Sequence, residues 1–168
     1  MTYDWLDDEA FCATHVRGLT PHEALARLGI EVFDGDDEEG EIDEGLICAY
    51  EAEGGTILGE WNGFAGTLEE VLRPLSAGTV VASVFVNVNR VAGFDHYADG
   101  REILSFDPLF PYEGDDRTAF LADRIELGLV HGKATGGLAA ARSLAERITG
   151  VRPTPSSRVA VAHGVLEY

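Results

Sequence analysis

The chain has 168 residues, 45% of them hydrophobic and 25% charged, which is ordinary usage for one globular domain with a buried core. Thirty acidic residues against twelve basic ones give a formal net charge of −18, a balance that repels nucleic-acid phosphates and anionic lipids. This charge argues against direct nucleic-acid binding and a membrane-surface role, and no apolar run approaches the roughly 18 residues that a spanning helix needs.

The N-terminal residues and the cysteines indicate a cytoplasmic protein. Residues 1–9 hold four acids and no base, unlike a secretory signal or a mitochondrial presequence. The two cysteines, Cys12 and Cys48, are too few for a disulfide framework, and their apolar neighbours favour buried free thiols over a disulfide between them.

Two helices are predicted at the start of the chain. Between Asp4 and Val16, apolar residues fall on one arc at 100° per residue, which predicts a helix that Gly18 ends. Thr20-Pro21-His22-Glu23 then has the pattern of a capping box with proline at the first helical position. This pattern predicts a second helix that stops at Gly29.

An acidic segment follows, from Glu31 to Glu44. It holds nine acids and no base, which is half of the excess negative charge of the chain. The segment lacks apolar periodicity and predicts a solvated loop. The nine acids are Glu31, Asp34, Asp36, Asp37, Glu38, Glu39, Glu41, Asp43 and Glu44.

We tested this acidic segment as a calcium loop of the EF-hand type. Asp34, Asp36 and Glu38 would take its first, third and fifth positions. The sixth position requires glycine and holds Glu39, and the twelfth requires glutamate and holds Gly45. The pattern therefore fails at both structural anchors, and only weak binding of divalent cations stays open.

The middle of the chain predicts strands joined by hairpins. The stretches 46–52 and 56–61 flank Glu53-Gly54-Gly55, and 94–97 and 101–106 flank Asp99-Gly100, a strong hairpin signal. Between them, 79–89 is rich in β-branched residues and apolar on both faces, as expected of a central strand. Thr67-Leu68-Glu69-Glu70 predicts a second capping box, opening a helix that Pro74 and Gly78 close.

The C-terminal third predicts two further helices and a short strand. One helix carries Phe120, Leu121 and Ile125 and is capped by Asp116 or Thr118; the next is capped by Thr135 and ended by Gly150. Thr154-Pro155 predicts a helical turn followed by a short strand near residues 159–161.

Together these elements predict an α+β fold. We expect an antiparallel sheet of about five strands, with helices from both termini packed mainly on one face. Residues 1–168 show no linker or internal repeat, so we expect a single domain. No pattern in the sequence specifies an oligomeric state.

Motifs for cofactors and metals are incomplete, so we expect neither. Gly132-Lys133 resembles part of a phosphate loop, but Leu127 replaces the required glycine and Ala134 the required serine or threonine. Cys12-x-x-His15 is half of a zinc site, which would need partners such as His22 or Cys48.

One group of polar residues remains as a candidate site, because its members follow predicted strands. If these strand ends meet, the side chains form a polar patch beside an aromatic ring; otherwise the amides bond turn backbones and the ring covers the edge of the core. The candidate binding residues are Glu60, Trp61, Asn62, Asn87, Asn89 and Asp107.

Several segments together resemble an uncharacterised actinobacterial family, domain of unknown function 6461. The resemblance spans nearly the whole chain and implies one complete cytosolic domain, with the acidic segment as its most variable part. It implies no catalytic residue. The segments are 5–18 (WLDDEAFCATHVRG), 20–29 (TPHEALARLG), 60–66 (EWNGFAG), 75–89 (LSAGTVVASVFVNVN), 94–100 (FDHYADG) and 149–151 (TGV).

The leading functional hypothesis is a non-catalytic interaction protein, an adaptor or toxin-neutralising module whose acidic surface binds a basic protein partner. The alternative is a small hydrolase or ligand-binding enzyme that uses carboxylate and amide groups at the strand ends. Mimicry of nucleic acid ranks last, because half of the charge lies in one glycine-containing segment rather than along a rigid surface.

Overall fold

The fold was analysed in a computed structural model, which describes residues 9–37, 44–112, 119–132 and 136–168. One antiparallel sheet joins all nine strands of the described residues. The strands are β1 (Phe11–Arg17), β2 (Phe33–Asp34), β3 (Leu46–Glu53), β4 (Gly55–Trp61), β5 (Val80–Val86), β6 (Ala92–Ala98), β7 (Arg101–Phe106), β8 (Arg152–Pro153) and β9 (Ala162–Val165).

The order of the strands is β2-β9-β3-β4-β1-β5-β6-β7, and β8 pairs with β3 off this path. The helices are α1 (Pro21–Ala26), α2 (Glu69–Leu75), α3 (Leu121–Glu126) and α4 (Gly137–Thr149), with 3-10 turns at Ala65–Thr67 and Pro155–Arg158. In the described parts of the chain, none of these helices has the length and apolar character to span a bilayer.

The first predicted helix is wrong, because Phe11–Arg17 forms β1. Residues 11–16 are all buried, and the strand lies between β4 and β5 in the middle of the sheet. A strand covered on both faces is apolar at successive positions, so it has no alternation that separates it from a buried helix. The predicted start of this helix, residues 4–8, lies outside the described residues.

The prediction of about five strands is also wrong. Beyond β1, it missed β2 inside the acidic segment and β8 after α4, each of only two residues. The short strand predicted near residues 159–161 lies further along the chain, as β9, which begins at Ala162 and pairs with both β2 and β3. Such short strands carry too few residues for a periodic pattern.

Both predicted hairpins are confirmed, as β3–β4 and β6–β7. Asp99 and Gly100 both have positive φ, which is the geometry that an Asp-Gly hairpin turn requires. The capping box at Thr20 is confirmed as well: its hydroxyl accepts from the Glu23 N–H, and the Glu23 carboxylate accepts from the Thr20 N–H.

The second predicted capping box is wrong. The N-cap of α2 is Leu68, which makes no side-chain cap bond, and the Thr67 hydroxyl donates instead to the Phe64 carbonyl. The predicted end of α4 at Gly150 is confirmed by its left-handed cap. The predicted caps Asp116, Thr118 and Thr135, and residues 38–43 of the acidic segment, lie outside the described residues.

Two apolar clusters lie on opposite faces of the sheet. Side chains alternate along each strand, so Ala82 and Val84 of β5 face one way and Val81 faces the other. Ala82 and Val84 pack with Leu144 of α4, whereas Val81 packs with residues of α1 and α2. We call these the α4 face and the α2 face. Packing mainly on one face is therefore not confirmed.

Candidate functional site

The candidate site is built around Glu60, near the end of β4. The register pairs Glu60 with Cys12 of β1, and its side chain points to the α2 face. Glu60 is 4% exposed. A carboxyl group is almost never this deeply buried unless hydrogen-bonded partners compensate for lost hydration.

The loop that follows β4 covers this carboxyl group. Asn62 turns the chain with φ of 51°, a left-handed conformation that asparagine tolerates, and its N–H donates to the Ala10 carbonyl. The Ala65 N–H then donates to Glu60 Oε2 at 2.9 Å. Gly63 packs on the Glu60 side chain so closely that a Cβ would lie 2.5 Å from Oε1. The carboxyl group thus holds the loop in place.

The second oxygen of Glu60 binds a residue far along the chain. Tyr168 donates its phenol O–H to Oε1 at 2.6 Å, and its ring stacks on Phe64 with centroids 4.2 Å apart. The segment after β9 brings Tyr168 here, since the Leu166 N–H donates to the Gly45 carbonyl just before β3. Glu60 therefore joins the loop to the C-terminal segment.

Burial sets the electrostatics of these groups. It raises the pKa of Glu60 from 4.5 to about 7, although the hydrogen bonds from Tyr168, Ala65 and Cys12 act in the opposite direction. Burial is the main cause that raises the pKa of the Cys12 thiol and of the Tyr168 phenol, and the neighbouring Glu60 is the second cause. Cys12 is therefore a neutral thiol with little nucleophilic character.

A small polar cluster extends inward from Cys12. Its sulfur lies 3.5 Å from Ser83 Oγ, and the Thr14 hydroxyl donates to Ser83 Oγ at 3.2 Å. Gly66 lies directly over these three side chains, and a Cβ there would lie 2.5 Å from Thr14 Oγ1 and 2.7 Å from Cys12 Sγ. A glycine at this position allows the covering loop to approach the sheet.

A pocket of about 260 Å³ opens beside the covering loop. Three aromatic side chains in its wall are partly exposed: Trp61 at 49%, Phe64 at 40% and Tyr168 at 50%. Glu44, the last residue of the acidic segment, lies at the same pocket and is exposed. The described residues that line the pocket are Glu44, Gly45, Trp61, Asn62, Gly63, Phe64 and Tyr168, and none of these is basic.

The six predicted site residues divide between this pocket and two turns. Trp61 and Asn62 line the pocket, and Glu60 lies beneath it. Asn87 and Asp107 follow β5 and β7 at the same end of the sheet, where Phe11 pairs with both Trp61 and Val86.

The amide and carboxylate on the other strands serve their own turns. Asn87 Oδ1 accepts from the N–H groups of Asn89 and Val91, and Asp107 Oδ1 accepts from those of Leu109 and Phe110. Asn89 is exposed in the turn between β5 and β6. The structure therefore places Asn87, Asn89 and Asp107 in turns, outside the group around Glu60.

Sequence reasoning missed Phe64, Tyr168, Cys12 and Glu44 as members of this site. The EWNGFAG segment was a signal for Phe64, since it adjoins Glu60 and Trp61. Tyr168 had no local signal, because its contact with Glu60 spans 108 positions.

The half zinc site does not assemble. Cys12 and His15 would share one side of a helix, but on β1 they point to opposite faces of the sheet. Burial lowers the pKa of His15 to about 3, so its ring is neutral in the core. Among the described residues, no group of three or more metal-ligating side chains is arranged around a metal position.

A second cavity, of about 510 Å³, lies at the other end of the sheet. The β3–β4 hairpin, the Gly18–Pro21 segment and the 3-10 turn after β8 form its walls. Its polar side chains include Glu51, Glu53, Thr154 and Ser156. The hydroxyls of Thr154 and Ser156 bond each other at 2.7 Å, so they stabilise the turn.

The fold and the site define an α+β protein with a wide antiparallel sheet and an aromatic pocket over a buried carboxyl group. The chain belongs to a family of unknown function, DUF6461, which it matches over residues 2–161. The resemblance in the sequence is thereby confirmed at the level of the family. No curated protein and no solved structure matches the chain.

Proposed function

We propose that the protein is a non-catalytic interaction module, an adaptor or toxin-neutralising partner, that binds a basic protein. The observation that carries this proposal is the exposed aromatic patch of Trp61, Phe64 and Tyr168, next to the end of the acidic segment at Glu44. Exposed aromatic residues are enriched at the centres of protein interfaces, where they supply most of the binding energy.

The charge of the chain favours a basic partner. A net charge of −18 attracts a positive surface and speeds the encounter with it, and it disfavours acidic partners by repulsion. Asp36 and Asp37 of the acidic segment lie near Cys48 of β3. Burial is the main cause that raises the pKa of the Cys48 thiol to about 11, and these two carboxylates add to it. Asp36 and Asp37 are therefore placed beside β3, the strand that Glu44 precedes.

The experiment is affinity capture at low salt from the source cells, followed by reconstitution with the purified basic protein. We expect a stoichiometric complex whose affinity falls as salt rises, because screening weakens exposed charge pairs. Recovery of no stoichiometric partner, or of a complex that salt does not weaken, would contradict the proposal.

Paired variants separate the site from the total charge. Asp36→Asn with Glu44→Gln removes two charges of the acidic segment, one of them at the aromatic patch, whereas Glu70→Gln with Glu102→Gln removes two from α2 and β7. The first pair should weaken binding by about ten-fold and the second by less than about three-fold. Equal losses of affinity from the two pairs would show that binding depends on net charge alone.

A second candidate function is supported by Glu60 alone. A carboxyl group with a pKa of about 7 beside a pocket has the protonation behaviour of a general acid or base. Both of its oxygens already accept hydrogen bonds within the fold, which favours a structural role. A screen with ester and amide substrates tests this alternative: turnover that Glu60→Gln abolishes would support an enzyme.

We also propose a cytoplasmic location. Cys12 and Cys48 are free, and the register places their side chains on opposite faces of the sheet. Free thiols persist in a reducing compartment. Cell fractionation tests this, and recovery of the protein outside the cytoplasm would contradict it.

A further inference from the structure

We propose that the pocket walled by Trp61, Phe64 and Tyr168 receives one arginine side chain of the basic partner. This inference rests on the proposed function and names the group that anchors the partner. It joins three features of the same pocket: its size, its charge and the flat rings of its wall.

The size of the pocket fits a single side chain. Cavities that enclose drug-sized ligands and cofactors occupy about 300–1,000 Å³. This pocket, at about 260 Å³, lies below that range and opens at the surface, beside the exposed ring of Trp61. A side chain presented by a protein needs only to insert its terminal group.

The charge of the pocket requires a cation. Glu44 is an exposed carboxylate at the pocket, Glu60 accepts the hydrogen bond of Tyr168 in its wall, and the described lining residues include no basic side chain. An anionic group entering here would meet these carboxyl groups without a compensating charge. A cationic group would gain both the carboxylates and the negative faces of the aromatic rings.

The rings favour arginine over lysine. Phe64 and Tyr168 stack with their planes 21° apart, so each ring covers one face of the other and the outer face of the stack is a flat wall. A planar guanidinium stacks on such a wall and still donates N–H groups at its edge to a carboxylate such as Glu44. An ammonium group is a compact, strongly hydrated charge and gains less from a flat surface.

Glu60 acts as a positioning residue in this arrangement. Its Oε1 accepts the phenol proton of Tyr168 at 2.6 Å, and its Oε2 holds the loop that carries Phe64. One carboxyl group thus fixes both stacked rings. Tyr168→Phe would keep the aromatic ring and remove the hydrogen bond to Glu60, so it tests the positioning role of Glu60 while the pocket wall stays aromatic.

The experiment measures binding of three small probes by NMR: acetyl-arginine amide, acetyl-lysine amide and acetyl-citrulline amide, the neutral analogue of arginine. We expect acetyl-arginine amide to shift the Trp61 indole signal with a dissociation constant on the order of 1 mM. Acetyl-lysine amide should bind several-fold more weakly, and acetyl-citrulline amide should cause no saturable shift.

Variants of the wall and the rim locate the binding. Trp61→Ala should weaken arginine binding by about three- to ten-fold, followed through the backbone signals of Gly63 and Phe64. Glu44→Gln should weaken it by about two- to five-fold, and Glu70→Gln should leave it unchanged. Tyr168→Phe should weaken it with little change of fold, seen as an unchanged spectrum elsewhere.

Three results would overturn the inference: no shift with arginine, equal binding of arginine and citrulline, or equal binding of arginine and lysine. If the chain still forms a salt-sensitive complex with its basic partner, only the pocket assignment fails. If that complex is also absent, the proposed function fails with it.

Discussion

At the scale of single residues, Glu60 links parts of the chain that are far apart in sequence. Its two oxygens accept from Ala65, five positions away, and from Tyr168, 108 positions away. Other titratable groups that face it are Cys12 from β1 and Tyr168 from the segment after β9. The behaviour of Glu60 with pH therefore reports directly on this part of the fold.

Replacing Glu60 by glutamine should change how stability depends on pH. The pKa of Glu60 is about 7 in the folded chain and 4.5 without the fold, so the unfolded state loses its proton first as pH rises. The contribution of Glu60 to the free energy of unfolding of the wild type is therefore fully present below pH 4.5, and it falls until about pH 7. Over that window, Glu60→Gln should gain up to about 3 kcal/mol relative to wild type.

Urea unfolding at a series of pH values measures this difference. Glu70→Gln, which removes an exposed carboxylate on α2, is the control and should run parallel to wild type. A difference between Glu60→Gln and wild type that stays constant with pH would contradict the assigned pKa.

Gly66→Ala tests the close contact between the covering loop and the sheet. The added Cβ would meet Ser83, Thr14 and Cys12, so we expect a loss of about 1–3 kcal/mol from overpacking. Gly93→Ala on β6 is the matched control, since its nearest atom is 3.7 Å from the added Cβ. Equal stability of the two variants in thermal unfolding would show that the loop is not so closely packed.

Local patterns predicted part of this site. The sequence placed Glu60, Trp61 and Asn62 at a strand end, and the structure places them at the pocket. Tyr168 could not be predicted, because its position depends on the pairing of β9 with β3, a contact between distant segments. A turn role for Asn87 was one of the two interpretations of its amide, and its Oδ1 accepts from backbone N–H groups of the turn. The turn role of Asp107 was not predicted.

At the scale of elements, both hairpins and the cap at Thr20 were predictable, and β1 in the middle of the sheet was not. Asp99-Gly100 and Thr20-Pro21 act through local backbone chemistry, which the sequence contains in full. β1 has buried side chains on both faces, so its apolar pattern depends on what packs over it rather than on its own period. The strands β2 and β8 were missed because two residues are too few to show a periodic pattern.

α4 provides a test of packing at this scale. Leu144 is fully buried between α4 and the sheet, so Leu144→Ala should cost about 2–5 kcal/mol through lost burial and a cavity. Ser143→Ala, at the adjacent half-buried position, should change the stability by less than about 1 kcal/mol. Denaturant unfolding of both variants checks this, and a small effect of Leu144→Ala would contradict the packing of α4 on the sheet.

At the scale of the whole molecule, the charge and the pocket act together. The net charge of −18 would attract basic surfaces at a distance, and the aromatic pocket would select one side chain at contact. Of these two features, only the net charge was evident from the sequence. The pocket required the fold, since Glu44, the segment of Trp61 and Phe64, and Tyr168 are separate in sequence.

Arginine binding should strengthen as pH rises through about 7. Glu60 is protonated below its pKa and ionised above it, and a bound cation favours the ionised form. Cys12 and Tyr168, the titratable groups that contact it, stay neutral in this range because their pKa values are raised. NMR titration with acetyl-arginine amide checks this: wild type should gain affinity, and Glu60→Gln should show a flat profile.

The most direct test of the interaction proposal is an NMR map of the labelled chain titrated with a peptide of Gly-Arg-Gly repeats. Salt of about 0.15 M limits long-range attraction to roughly 8 Å. We expect saturable shifts concentrated at Trp61, Phe64 and Tyr168 and extending to Glu44. Shifts spread evenly over the surface, with Glu70 and Glu102 as strongly affected, or no shifts at all, would contradict it.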